Sequence, residues 1–321
     1  MIIVPIAICV AAVIIALCLI GAYVCFRLVF YSPPKKRADY AEEFPIPQGD
    51  IYEPYRESMI SYIKTVRAMP HKDMEIKSFD GLTLRGRFFE YEKGAPVELM
   101  FHGYRGCSDS DLSGGVLRCM KLGRSVAIVD HRASGKSDGR IITFGVNESR
   151  DCVSWANHLN TFLEKDTPII LTGISMGAAT VMMACGRELP DNVVGVLADC
   201  GYSSAKEIIM KVMRGMKLPV RLLYPFVRLG AKLYGRFDLE ENPPTEALAK
   251  GNIPVLFIHG EADDFVPCDM SRKTYEACRS EKRLVTVPGA GHGLAYMTDP
   301  EGYLNVLKEF FTPFTDKKTE L

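Results

Sequence analysis

The sequence predicts an α/β protein with a mostly parallel sheet covered by helices on both faces. Three observations carry this. Short apolar runs of four to seven residues recur along the chain, as buried strands do, and helical patterns separate them. Several of the runs end in Gly-rich polar loops rather than hairpin turns, so consecutive strands return by crossover helices. Apolar residues make up 47% of the chain and charged residues 24%, a composition that can bury a sizeable core.

Ahead of this pattern, Met1 to Phe26 carry no charged side chain, and Arg27 is the first. At ~1.5 Å per residue the run exceeds the ~30 Å hydrocarbon core of a bilayer. A cleaved signal peptide is the competing reading. It calls for a basic start, a shorter apolar core and a small-residue cleavage site, whereas Cys18 to Phe26 continue bulky. The preferred reading is a single-pass transmembrane helix within residues 1–31. Arg27, Lys35, Lys36 and Arg37 follow it, which puts the rest of the chain on the cytoplasmic side by the positive-inside rule. Residues 32–72 read as a juxtamembrane linker, with Pro45 and Pro47, leading into one helix from Tyr52 to Met69.

The globular domain is expected over residues 73–313, before a polar tail at 314–321. It opens with a hairpin, Met74–Phe79 and Leu82–Tyr91, joined by the turn dipeptide Asp80-Gly81. The alternation then runs strand 96–101, helix 110–122, strand 125–130, helix 148–163 and strand 168–171. An elbow helix to about Glu188 follows, then strands at 193–198, 255–259 and 283–287 and a closing helix at 301–311. Lys+Arg and Asp+Glu both count 39, so overall charge gives no argument for nucleic acid. The ten cysteines form no CxxC pair or Cys/His cluster, which argues against a zinc site and fits a reducing compartment.

Active sites in such sheets lie beyond the carboxyl ends of the strands. There the chain places Gly173-Ile174-Ser175-Met176-Gly177, at a switch from strand to helix. A serine on so sharp a turn presents its hydroxyl at a helix N-terminus, where free N–H groups favour negative charge. A nucleophilic serine needs a base, and the base needs a carboxylate to fix its tautomer. His292, in Gly289-Ala290-Gly291-His292-Gly293, is the candidate base, while His259 is expected to turn towards the core. Asp263, four residues past a strand end, is the candidate acid, ahead of Asp264, with Asp199 in reserve. The loop His102-Gly103-Tyr104-Arg105-Gly106 can offer the Tyr104 backbone N–H to an oxyanion, with the Met176 N–H as second donor. Asp130 and Arg132 read as an ion pair that ties down the loop after their strand.

These motifs, with Asp130-x-Arg132-x-x-Gly135-x-Ser137-x-Gly139 and His259-Gly260-x-x-Asp263-x-x-Val266-Pro267, resemble the alpha/beta-hydrolase superfamily. The likeness is to the branch of prolyl oligopeptidase-like and serine aminopeptidase-like hydrolases, and it covers residues 74 to 311. Ala133-Ser134 depart from the Gly-His common among relatives, without touching a triad position. The resemblance implies hydrolysis of an ester, thioester or amide through an acyl-enzyme, with no metal or organic cofactor. An esterase or thioesterase acting on a small-molecule or lipid-like acyl substrate is the first reading. A peptidase is the second, and a non-catalytic membrane-anchored binding protein the third.

More than fifty residues separate Asp199 from the strand at Val255, too many for a simple crossover. An insert at about 201–251 is expected to form a helical lid. Between Lys206 and Arg236 it carries eight basic side chains against one acid, Glu207, interleaved with apolar residues. Such a stretch either packs its apolar side on the core with solvated lysines outside, or lies on an anionic membrane surface.

Overall fold

The computed structural model describes residues 3–33 and 44–316. Residues 34–43 of the expected linker, with Lys35, Lys36 and Arg37, and most of the polar tail lie outside the described residues. Eight strands form one sheet: β1 Lys72–Lys77, β2 Thr83–Phe89, β3 Val97–Phe101, β4 Ser125–Val129, β5 Ile169–Ile174, β6 Val193–Asp199, β7 Val255–Gly260 and β8 Lys282–Val287. Their order is β1-β2-β4-β3-β5-β6-β7-β8. β1 and β2 are antiparallel, β2 meets β4 antiparallel, and every other pairing is parallel. The helices are α1 Ile3–Val29, α2 Arg56–Ala68, α3 Ser108–Lys121, α4 Val146–Phe162, α5 Met176–Ala184, α6 Ala205–Gly215, α7 Val220–Gly230, α8 Pro244–Lys250, α9 Cys268–Ala277, α10 Ala295–Thr298 and α11 Pro300–Thr315.

Strand alternation sorts the core into two layers. Leu99, Phe101, Ala127, Leu171, Val196 and Phe257 face one side, where α4, α5 and α8 cover them through Trp155, Val181 and Leu248. Met100, Val126 and Ile128 face the other, under Val66 of α2 and Val116 of α3, and Leu197 and Leu256 pack beneath Leu307 and Phe311 of α11. Glu98 is a buried exception on this second face. It pairs with Arg118 and with Arg124 (2.7 Å) and accepts from Thr172 Oγ1 at 3.0 Å. Burial alone would raise its pKa, but the two guanidinium groups hold it below the ordinary value. Glu98→Gln leaves two buried cations short of a counter-charge and is expected to cost ~3–5 kcal/mol in a denaturant titration.

Several boundaries differ from those read off the sequence, each for a local reason. The helix expected from Tyr52 begins with a 3-10 turn, Asp50–Tyr55, because Pro54 cannot sit inside an α-helix without losing a hydrogen bond. β5 extends three residues past Leu171, since Gly173 still pairs with Phe101 and Ala198. Arg132 pairs with Asp151 (2.7 Å) and Asp80 (2.9 Å) rather than with Asp130. Asp130 holds its loop differently, by accepting the backbone N–H groups of Ser108 and Lys136, both at 2.8 Å.

α1 contains one apolar span, Ile6–Val29, long enough to cross a membrane. Most of its side chains are exposed, but Ala22, Phe26 and Phe30, spaced four apart on one stripe, are buried. Phe26 and Phe30 enter a core with Phe144, Met176, Tyr202, Tyr224, Val227 and Phe237, while Ala22 lies against Gly230 of α7. Phe30 meets the rings of Phe144 and Phe237 edge-on, with centroids 5.8 and 5.3 Å away. Backbone bonds extend the docking, from Ile142 N–H to Phe30 O and from Ser32 N–H to Arg140 O, both 2.8 Å. The end of the apolar helix is therefore part of the globular core.

Candidate active site

Ser175 stands between β5 and α5 with φ at +56°, a left-handed conformation that a non-glycine residue holds only under tertiary constraint. Its N–H donates to Asp199 O at 2.9 Å. The glycines on either side are demanded by contact. A Cβ on Gly173 would collide with the backbone of Gly177, and one on Gly177 with the carbonyl of Phe101.

Three side chains from different strand ends converge here. His292 Nε2 lies 3.0 Å from Ser175 Oγ, and His292 Nδ1 lies 2.7 Å from Asp263 Oδ2. Because Nδ1 faces a carboxylate it carries the ring proton, which leaves the Nε2 lone pair to accept from the serine hydroxyl. Asp263 Oδ1 accepts the backbone N–H groups of Phe265 (3.0 Å) and Val266 (2.8 Å). Burial works to raise the Asp263 pKa, but bonds from His259 and His292 and the Val266 N–H outweigh it and lower it to about 2. The carboxylate is therefore ionised across the physiological range.

His259 was expected to face the core, and it is buried, yet it also belongs to this cluster. Its Nε2 is 3.2 Å from Asp263 Oδ2 and 2.8 Å from Val266 O, and its Nδ1 is 2.6 Å from Ser271 Oγ. The only signal in the sequence was the four-residue spacing within His259-Gly260-x-x-Asp263. Asp199, the reserve acid, does not reach His292. Its Oδ2 accepts from Tyr303 OH at 2.8 Å, and burial raises its pKa.

The loop after β3 is held from beneath. His102 Nδ1 lies 2.8 Å from Gly103 O, its Nε2 accepts from His131 N–H at 3.0 Å, and Gly103 N–H donates to Asp111 Oδ2 at 2.9 Å. Tyr104 adds a contact that no motif announced, since its hydroxyl donates to Val29 O at 2.7 Å. Arg105 Nη2 donates to Leu28 O at 2.8 Å. The two last-turn carbonyls of α1 are thus capped by the loop that carries the candidate oxyanion donor.

Ser175, His292 and Tyr104 line a cleft of about 390 Å³, together with Phe265, Tyr52 and Pro45. Tyr52 donates its hydroxyl to His292 O at 3.1 Å, so the segment following α1 braces the histidine loop. The Phe265 ring meets the His292 ring edge-on at 5.0 Å. Among the described residues, Cys200, Asp263 and His292 alone bring three ligand-type atoms within 4.8 Å of one another. Asp263 and His292 are already engaged with each other, and burial pushes the Cys200 thiol far up, so this cluster is better suited to hydrogen bonding than to a cation.

Comparison with known proteins agrees with this architecture. The family model described as TAP-like protein matches residues 237–312. The uncharacterized protein YqkD of Bacillus subtilis is 29% identical over 198 residues, which are 61% of this chain and 65% of that protein. The uncharacterized membrane protein YNL320W of Saccharomyces cerevisiae is 27% identical over 59% of this chain and 61% of its own length. The solved esterase PF2001 of Pyrococcus furiosus superposes with a TM-score of 0.64 at 22% identity, covering 85% of this chain and 97% of that one.

Proposed function

The chain has the alpha/beta-hydrolase fold, and we propose that it is a membrane-anchored serine hydrolase cleaving a carboxylic ester or thioester through an acyl-enzyme on Ser175. The observation that carries the reading is the relay Asp263–His292–Ser175, at 2.7 and 3.0 Å, on a strained strand-to-helix turn. Ser175 Oγ attacks the carbonyl carbon while His292 Nε2 takes its proton, and Asp263 stabilises the imidazolium. The tetrahedral oxyanion is held by the backbone N–H groups of Tyr104 and Met176. His292 then gives the proton to the departing alcohol or thiol, and water attacks the acyl-enzyme by the same route in reverse. The likeness to an esterase of known structure supports an ester ahead of an amide.

A fluorophosphonate probe tests this directly. The wild type is expected to be labelled and Ser175→Ala is not, with kcat on p-nitrophenyl esters falling ~10⁶-fold. Wild-type protein that stays unlabelled would favour a non-catalytic binding role. Comparing p-nitrophenyl esters of increasing chain length with aminoacyl-anilides separates esterase from peptidase.

The anchor reading rests on α1. Its buried Phe26, and Phe30 at its end, belong to the domain core, so cleaving it as a signal would strip that core, and a relative bears the name of a membrane protein. Arg27, Lys35, Lys36 and Arg37 on its C-terminal side, together with ten unpaired cysteines, support a cytoplasmic domain. In sealed vesicles of native orientation, this placement leaves the domain open to protease from the cytoplasmic face. Digestion only from the opposite face would overturn it.

A further inference from the structure

α1 and α7 cross as neighbours running in the same direction. Gly21 lies against the Phe226 ring, where an added methyl would come within 3.3 Å, and Gly230 lies against Ala22 and Phe26. Tyr234 OH, just beyond α7, reaches back to Leu19 O at 3.1 Å. Following this register one turn towards the start of α7 brings Leu222 level with about Leu17 or Cys18 of α1. A bilayer core of ~30 Å takes up about 20 residues, so an apolar span that ends near Tyr23 and Arg27 holds Leu17 inside the hydrocarbon boundary. The α6–α7 elbow therefore reaches below the level at which α1 emerges.

The elbow is built for that depth. Residues 214–219 are all exposed. Met216 and Leu222 leave 65% and 62% of their surfaces uncovered, with Leu218 between them. Arg214, Lys217 and Arg221 flank these side chains, and among the described residues the elbow carries no acid. Long cationic stems beside apolar tips suit a headgroup boundary, the tips entering the acyl region and the charges meeting lipid phosphates.

We propose that the α6–α7 elbow is a second membrane contact, with Met216, Leu218 and Leu222 inserted into the bilayer that α1 spans and Arg214, Lys217 and Arg221 on its anionic headgroups. This rests on reading α1 as a membrane span. It also sets the substrate's approach. α6 continues from the elbow to the cleft, where Lys211 donates to Asp264 O and lies 5.6 Å from the centroid of the Phe265 ring, beside His292. A lipid-borne acyl group in the leaflet is thereby brought to the cleft without crossing bulk water.

The full chain offers a clean measurement, since its one tryptophan, Trp155, is buried. Single tryptophans are placed at Leu222, at Val13 of α1 and at Tyr91, and the proteins are reconstituted in vesicles of phosphatidylcholine with or without phosphatidylserine. Some of the chains are brominated near the headgroup or near the tail. At the ~5–10 Å depth of an interfacial helix, Leu222→Trp emission is expected to fall by roughly half or more with the shallow bromines and less with the deep ones. Val13→Trp should be quenched by the deep bromines and Tyr91→Trp by neither. Arg214→Glu, Lys217→Glu and Arg221→Glu added together to Leu222→Trp should remove most of its quenching in phosphatidylserine vesicles. Quenching at Val13 without quenching at Leu222 overturns the second contact while the anchor stands, and quenching at neither overturns the anchor. Quenching at Leu222 that ignores both phosphatidylserine and the charge reversal overturns the headgroup part. None of these readouts depends on hydrolysis, so they separate from a failure of Ser175 labelling.

Discussion

Asp263→Asn is expected to lower kcat by ~10⁴ with the fold intact, because the substitution reverses a tautomer. Asp263 Oδ1 must go on accepting from the Phe265 and Val266 N–H groups, so the new amide NH₂ takes the place of Oδ2. There it faces His292 Nδ1, now as a donor, and the ring moves its proton to Nε2. An Nε2–H cannot accept from Ser175. Steady-state kinetics beside a thermal melt decide the matter, and a loss below tenfold would mean that Asp263 is not the orienting acid. The native carboxylate also links to stability. Its folded pKa of about 2 lies below the ~3.9 of an unfolded aspartate, so its contribution is present above pH ~4 and fades as pH falls through ~2. A loss of activity at mildly acidic pH is therefore not expected to come from Asp263.

Phe30→Ala is expected to cost ~3–5 kcal/mol and to impair the site from a distance. The ring is fully buried between Phe144 and Phe237, one residue from the Val29 carbonyl that Tyr104 binds. Loosening the end of α1 frees the loop that carries the Tyr104 N–H. Tyr104→Phe separates the two effects, since it removes one hydrogen bond worth ~1 kcal/mol and leaves the apolar packing. In detergent, Phe30→Ala should lower both the melting temperature and kcat, whereas Tyr104→Phe should lower kcat roughly fivefold with little change in KM. An unchanged melting temperature for Phe30→Ala would show that α1 is a tether alone.

Much of the fold was legible in the chain because parallel strands buried on both faces are predominantly apolar, Glu98 and its two arginines being the exception. The runs at Val97–Phe101, Ser125–Val129 and Val255–Gly260 are wholly buried and could hardly read as anything else. The boundaries read less well, since they depend on pairing partners, as the extension of β5 to Ile174 shows. Candidate site residues stood out where chemistry needs a special backbone: Ser175 between tightly packed glycines, and His292 in a glycine loop. The choice between Asp263 and Asp199 had no such local mark. It turned on which carboxylate the fold leaves facing an imidazole and which it leaves against Tyr303.

By itself, then, the sequence determined the α/β class, the strand order along the chain and an apolar helix at its start, because each follows from periodicity and composition within a short window. Only the tertiary structure decided what that helix does once it ends. Its buried stripe, Ala22, Phe26 and Phe30, is as apolar as the residues around it, so hydropathy could not tell the side that meets protein from the side that does not. The capping of Val29 and Leu28 by Tyr104 and Arg105 spans more than seventy residues of chain, a contact between two side chains and two helix-end carbonyls that neither local sequence encodes.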